Sequence, residues 1–525
     1  MQTVETVLTL LGLTTALAFL ARKANVPYPI FLVVGGMVLG FVPGLPEVTL
    51  DPQLVFLFFL PPILYAAGYF TSWRDFRANL LSITLLAVGL VIATTTAVAV
   101  AVHALVPGIA WPVALVLGAI VSSPDAVAAT AIAQRLRLPR QIVTILEGES
   151  LVNDATGLVL LKFATAAVVT GSFSIASGVL EFLLLVAGGI GVGLAMGLLF
   201  VWLQRFLDDA ILATTASILA SFLVYIVAER LHVSGVLAVV VAGLLQGRYV
   251  PYIWSPATRV EGTAVWQTLV FLLNALIFVL IGLQLPMILR GLDRPWPAVV
   301  DGLFAAFGAI VVVRLLWMFP GAYLPRFLSE RYRATHPYPP WQAVTIVGWA
   351  GMRGIVSLAA ALSLPLALAN GNPFPARHFL IFLTFALILG TLVVQGLTLP
   401  PLIRWLRVEE DRTAEREERH ARLTLADAAI GHLDGKTEDG SYHAHQVHPV
   451  RNEYVQRIRA LKGFEGETRS AGLATIRSTK ELRQEALDVQ RRKLLQLRAE
   501  EVIGDDVLHR IQHELDLEEM GLRGT

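Results

Sequence analysis

The stretch EGESLVNDATG, residues 147–157, sets three carboxylates, Glu147, Glu149 and Asp154, inside a chain that is apolar on both sides. RQIVTIL precedes it and LVLLKFATAAVV follows it. On a helix, residues four apart share a face, so Glu149 lies with Asn153 and Ser150 with Asp154. Adjacent residues are about 100° apart around a helix. The two pairs therefore form a polar wedge roughly a quarter-turn wide, and the following ATGLVLLKF is apolar again. A patch this local suits a binding site better than the wall of a hydrophilic channel.

Such a wedge matters because of what surrounds it. The chain has 525 residues, 55% hydrophobic and 15% charged, with a mean hydropathy of +0.65. Soluble domains are about a quarter charged. The charges are also segregated: residues 408–525 hold 24 Asp+Glu and 19 Lys+Arg, leaving 38 charges for the first 407 residues. Residues 1–407 are read as a membrane domain and 408–525 as a cytoplasmic helical tail. The net charge of +1 gives no reason to expect nucleic acid as a partner, and the absence of cysteine excludes disulfides and thiolate metal sites. The N-terminus MQTVETVLTLLGLTTALAFLARK has Glu5 and no base ahead of its apolar run, the opposite of a signal peptide. It is expected to be retained as a first helix.

A bilayer core takes about 20 apolar residues as a helix. On that ruler thirteen spans are expected, at 4–21, 28–45, 52–70, 80–104, 111–133, 141–170, 176–203, 209–229, 233–247, 264–288, 297–322, 341–369 and 377–403. Alternate loops carry fifteen Lys+Arg on one side and four on the other. The excess of bases marks the cytoplasmic side, with the N-terminus outside and the C-terminus in the cytoplasm. The fifth span contains SSPDA at mid-membrane. Pro124 removes a backbone donor and frees a carbonyl, so the helix should unwind there.

Charged groups at membrane depth are costly and are functional candidates by default. Here they are Asp125, Glu147, Glu149, Asp154, Lys162, Glu181, Arg314 and Arg353. An unwound segment at 122–125 would offer carbonyls and the Ser122 and Ser123 hydroxyls beside Asp125, hard oxygen ligands suited to a hard cation. Arg353, in GWAGMRGIVSL, needs an intramembrane acid, and Glu149 is the expected partner. Gly348, Gly351 and Gly354 would let another backbone come close or let that helix break. Packing glue is the alternative for buried polar pairs. That alternative fits Glu149 and Arg353, as scaffold, better than Asp154 and Asp125. Lys162 and Glu181 lie near span ends and are given no role. Glu147 and Arg314 are left unassigned.

Four motifs occur in order: FLPPILYAAGYF (59–70), SSPDAVAATAI (122–132), EGESLVNDATGLVL (147–160) and GWAGMRGIVSLAAAL (348–362). Together they resemble the monovalent cation:proton antiporters, which include bacterial sodium/proton antiporters and animal sodium/hydrogen exchangers, over about residues 1–407. The resemblance implies an all-α polytopic fold of inverted repeats with two crossed broken helices. It also implies a homodimer and elevator-like alternating access. The family's essential aspartate maps onto Asp154, its partner onto Asn153, and the motif's Ser, a side-chain ligand, onto Ser150. The motif's Glu maps onto Glu149 and the later Arg onto Arg353. The family's commoner pattern puts Thr or Val, then Asp, then Pro in the broken fifth helix, whereas this chain reads Pro124-Asp125-Ala126. Asp125 still aligns by its 29-residue spacing to Asp154, but ion preference stays open.

The expected function is exchange of cytoplasmic Na+ (or Li+) for external H+ at a bacterial inner membrane, serving sodium and pH homeostasis. Deprotonated Asp154 would hold the cation with Asp125, Ser150 and backbone oxygens; protonated, it would release it. With Asn153 beside it in place of a second acid, one charge replaces one charge, an electroneutral 1:1 exchange. Ser123 and Pro124 complete the scaffold, and no cofactor is expected beyond the transported ions. A K+/H+ antiporter of the same fold is the alternative. A cation channel is less suited, because its pore needs continuous rings of acids or carbonyls. An enzyme is not indicated, since His103 and His232 stand without a nucleophile–base set. In the tail, Leu482, Leu487, Leu494, Leu495 and Leu497 recur among charges at helical spacing. A polar linker is expected around 436–453, containing His443, His445 and His448, read as a solvated loop in preference to a metal or pH sensor. A regulatory partner of the tail is left open.

Overall fold

In lipid, an apolar segment can satisfy its own N–H and C=O groups only as a helix unless it closes into a barrel. The computed structural model is helical throughout its named elements, and the one β-bridge among the described residues joins Ala367 and Pro373. It describes residues 2–24, 27–43, 50–136, 138–171, 175–335, 338–368, 371–408, 413–439, 441–462, 484–494, 496–497, 500, 511–512 and 514–519. The chain divides into two compact units, Met1–Asp411 and Arg412–Thr525.

The first unit runs α1 (Gln2–Ala24), α2 (Tyr28–Gly40), α3 (Pro52–Phe70), α4 (Leu80–Leu105), α5 (Trp111–Ser122), α6 (Ala126–Arg135) and α7 (Arg140–Thr170). It continues with α8 (Ile175–Gln204), α9 (Ala210–Arg230), α10 (Gly235–Ile253), α11 (Pro256–Arg290) and α12 (Trp296–Leu328). It ends with α13 (Trp341–Trp349), α14 (Ile355–Leu362) and α15 (Arg377–Leu406). Among the described residues, ten stretches are long and apolar enough to cross a membrane, α5 and α6 counting together as one. The other three expected spans fall on α1, on the 13-residue α2, and on α13 with α14. The span expected at 341–369 is thus two short helices separated by non-helical residues 350–354.

Packing follows from small residues and from which faces meet lipid. At the α2–α11 contact, a Cβ on Gly282 would lie 2.2 Å from the Val33 carbonyl oxygen, and one on Gly36 would lie 2.4 Å from that of Val279. Only glycine lets two backbones approach so closely in a membrane. α8 and α12 bury about a third of their apolar windows, and Leu184, Trp202, Phe304 and Leu316 point outward, as lipid-facing helices require. α7 is central, packing against α4, α5 and α6.

In the second unit, α16 (Thr413–Glu438) and α17 (Ala444–Lys462) pack against each other. Arg451 clamps Asp434 through Nε–Oδ1 at 2.7 Å and Nη2–Oδ2 at 3.3 Å. The polar linker expected at 436–453 is therefore largely helix, because Val447 and Ala426 find buried positions that the polar composition had obscured. His443 and His445 are exposed with their rings stacked at 5.7 Å, and His448 contacts Asn452 on its own helix. Leu487 and Leu494 are buried with Leu515, and Leu497 is half-buried; Leu482 and Leu495 lie outside the described residues.

Candidate functional site

Two helix interruptions, Ser123–Asp125 between α5 and α6 and Ala350–Gly354 between α13 and α14, lie against each other. Each break leaves backbone groups without helical partners, which is costly inside a membrane unless something else satisfies them. Here the two breaks largely satisfy one another. The Asp125 N–H donates to the Met352 carbonyl at 2.7 Å. Arg353 Nε donates to the Val121 carbonyl at 2.9 Å, near the C-terminus of α5, and its guanidinium also donates to the Gly351 carbonyl. The Arg353 backbone N–H is held by Thr391 Oγ1 at 3.1 Å, in a π-helical turn of α15.

The charges complement the helix ends. Asp125 caps α6, accepting from the Val127 N–H at 2.8 Å, and a Cβ on Gly354, the residue before α14, would lie 1.8 Å from Asp125 Oδ2. One carboxylate thus sits at two positive helix N-termini. Arg353, through Val121 and Gly351, sits at two negative C-termini.

α7 brings its polar wedge to this crossing. Ser123 Oγ donates to Asp154 Oδ1 at 2.5 Å, and Asn153 Nδ2 donates to the Pro124 carbonyl at 2.9 Å. Ser150 Oγ accepts from the Ala126 N–H at 3.4 Å. The carbonyl freed by the proline-containing break is therefore held by the residue beside Asp154. Asn153 is fully buried and Asp154 7% exposed, whereas Asp125 and Ser150 are half-buried. Asn153 Oδ1 has no protein partner. Ser123 thus meets Asp154, and Ser150 meets the first N–H of the helix that Asp125 caps, so hard oxygens, the kind of donor a small monovalent cation accepts, border the crossing.

The expected pairing of Glu149 with Arg353 is not what the structure contains. Glu149 is held by Arg314 of α12, with Nη1–Oε1 at 2.5 Å and Nη2–Oε2 at 2.8 Å. Arg314 Nη2 also reaches the Val347 carbonyl at 3.2 Å, tying α12 and α7 to the end of α13. Arg353 instead hydrogen-bonds main-chain carbonyls at two helix C-termini, whose negative potential complements its charge. Both arginines flank Gly351, where a Cβ would lie 2.6 Å from Arg314 Cδ and 3.2 Å from Arg353 Nη1.

Sequence reasoning lists Arg314 without assigning it a partner, and misses Thr391, Met352 and the Val121 carbonyl. For Arg314 a signal existed: it was a second intramembrane cation without an assigned acid. For the others there was none, since a lone Thr or a backbone carbonyl carries no pattern. Of the remaining candidates, Glu147 is half-buried two residues before the wedge, and Lys162 and Glu181 are exposed.

Comparison with known proteins finds relatives over most of the chain. The family described as "Sodium/hydrogen exchanger, transmembrane" matches residues 7–405. A protein of Mycobacterium tuberculosis named as an uncharacterised Na+/H+ exchanger is 34% identical over 509 residues, covering 96% of this chain and 93% of the relative. A sodium, potassium, lithium and rubidium/H+ antiporter of Bacillus pumilus is 32% identical over 512 residues, covering 94% and 74%. The solved structure of the sodium proton antiporter MjNhaP1 from Methanocaldococcus jannaschii superimposes with a TM-score of 0.63 at 20% identity, covering 78% of this chain and all of that one.

Proposed function

Because this chain belongs to the sodium/hydrogen exchanger family, we propose that it exchanges Na+ or Li+ for H+ at one shared carboxylate, Asp154. The observation that carries the proposal is the Ser123–Asp154 hydrogen bond at 2.5 Å, beside a helix break whose freed Pro124 carbonyl is held by Asn153. Deprotonated, Asp154 binds one cation with Asp125, Ser150 and nearby main-chain oxygens. Protonated, it is neutral and the cation leaves. Competition of proton and cation for one carboxylate couples the two fluxes without a separate relay. Asn153 adds no second titrating acid, so one cation replaces one proton and exchange is electroneutral.

In this scheme Asp125 is both ligand and helix cap, and Glu149, Arg314 and Arg353 are scaffold. We further propose a homodimer in a bacterial inner membrane, N-terminus outside, with sodium and pH homeostasis as the role. The loop charge bias supports the orientation. Potassium is a second substrate reading, favoured by the name of the Bacillus pumilus relative, a sodium, potassium, lithium and rubidium/H+ antiporter.

The test is proton flux in proteoliposomes carrying a pH-sensitive dye, titrated separately with Na+, Li+ and K+. The wild type should dequench with Na+ and Li+. Asp154→Asn should be inserted and folded but silent. Residual pH-dependent sodium flux in that variant would sink the shared-carboxylate scheme.

A further inference from the structure

We propose that Glu147 draws the transported cation toward Asp154 from the base-rich, cytoplasmic side, with the Thr130 hydroxyl as its partner. This role rests on Asp154 being the shared carboxylate, and it adds the residue that sets how readily a cation arrives there.

Seven positions along α7 separate Glu147 from Asp154, and three separate it from Ser150. Two helical turns are about 7.2 residues, so Glu147 and Asp154 lie within about 20° of each other around the helix and about 10 Å apart along it. On one flank of that face, Leu151 and Ala155 join an apolar cluster with Leu64, Val240 and Trp266 of α3, α10 and α11. On the other flank, Ser150 Oγ accepts from the Ala126 N–H of α6 at 3.4 Å. Glu147 thus stands at the seam between α6 and the α3–α10 side, half-buried and nearer the start of α7 than the wedge is.

The register of α6 against α7 brings a second oxygen to that level. The Asn153–Pro124 and Ser150–Ala126 hydrogen bonds show the two helices running antiparallel. About one further turn along each places Thr130 level with Glu147. Thr130 is half-buried, and its Oγ1 donates to the Ala126 carbonyl at 2.9 Å, which leaves the oxygen lone pairs able to accept a cation. Carboxylate and hydroxyl are again hard oxygens.

A purely structural carboxylate at this depth needs a partner. Glu149, two residues later, has a two-point clamp from Arg314. Among the described residues Glu147 has no hydrogen bond or ion pair. Arg140, seven residues earlier on the same face, is bridged to Asp75 at 2.6 Å. An uncompensated carboxylate on the approach raises the local concentration of cations at the site ahead of it.

The experiment is sodium-titrated proton flux of the full-length protein in proteoliposomes. Glu147→Gln should raise the sodium KM by about 5-fold, the effect of one charge at about 10 Å, and leave the maximal rate unchanged. Glu147→Asp should restore most of the affinity. Added choline chloride should shrink the difference between wild type and Glu147→Gln, because salt screens a through-space attraction. Thr130→Val should raise the KM by a smaller factor, and it carries the test if Glu147→Gln does not fold. A wild-type KM in Glu147→Gln, a loss confined to the maximal rate, or a KM difference indifferent to choline chloride overturns the role; so does a wild-type KM in Thr130→Val where that variant stands alone. The underlying reading fails separately, by sodium flux in Asp154→Asn. A silent Asp154→Asn beside a wild-type KM in Glu147→Gln sinks only the role of Glu147.

Discussion

Arg314 on α12 and Glu149 on α7 form a two-point ion pair at 2.5 and 2.8 Å, with both side chains 2% exposed. Buried pairs of this kind are costly to break, because the remaining charge is left uncompensated. Glu149→Gln or Arg314→Gln alone should destabilise the membrane domain by about 3–5 kcal/mol. The double variant should recover part of that loss, and more of it than Glu149→Gln with Arg353→Gln recovers, since Arg353 feels the Glu149 charge without hydrogen-bonding it. A double-mutant cycle on unfolding in mixed micelles reads this directly. Equal coupling to both arginines would count against the assignment of Arg314 as the clamp.

Ser123 should tune cation affinity without being indispensable. Its hydroxyl donates to the Asp154 carboxylate, and a hydrogen bond to a charged group is worth about 1.5–3 kcal/mol. Ser123→Ala should change the sodium KM by about 10-fold or more, with maximal exchange reduced less. An unchanged KM with lowered expression would make the contact structural only.

Gly354 admits no side chain. A Cβ there would lie 1.8 Å from Asp125 Oδ2, and neither partner is the loose end of a long flexible chain. Gly354→Ala should forfeit the crossing, cost about 3 kcal/mol or more as overpacking, and abolish exchange. Gly371→Ala, at a positive-φ position with open space around it, is the control and should cost less than Gly354→Ala. Full activity in Gly354→Ala would show that the two breaks do not need this contact.

Asn153 should set charge per cycle. Asn153→Asp introduces a second carboxylate beside Asp154 while removing the donor to the Pro124 carbonyl. Flux should become sensitive to an imposed potassium diffusion potential, where the wild type is not. Potential-independent flux in Asn153→Asp would leave Asn153 with the holding role alone.

The tail hairpin should not respond to pH in the cellular range through its Arg451–Asp434 pair. The Arg451 hydrogen bond and charge hold the Asp434 carboxyl below its ordinary value. Any stability this pair contributes is fully present above the ordinary carboxylate value near 4 and is lost as pH falls through the lowered one. Amide exchange in 444–462, corrected for intrinsic rates, should match at pH 6 and pH 8. A marked difference would point to His443, His445 or His448 instead.

Local chemistry alone determined much of this protein. Apolar runs of bilayer length made the membrane spans helical, Pro124 located one break, and four-residue spacing put Ser150 with Asp154 and Glu149 with Asn153. Those features depend on backbone hydrogen bonding and helix periodicity, which a single segment carries within itself. Which arginine meets Glu149 was decided only by tertiary packing. Arg314 and Arg353 are alike as sequence, two buried cations in apolar helices. Only the assembled fold places α12 against α7 and turns the carbonyls of Val121 and Gly351 toward Arg353, so that main-chain dipoles serve where an acid was expected. The same holds for the helix at Ala444–Lys462, whose polar composition reads as a linker until α16 lies alongside to bury Val447.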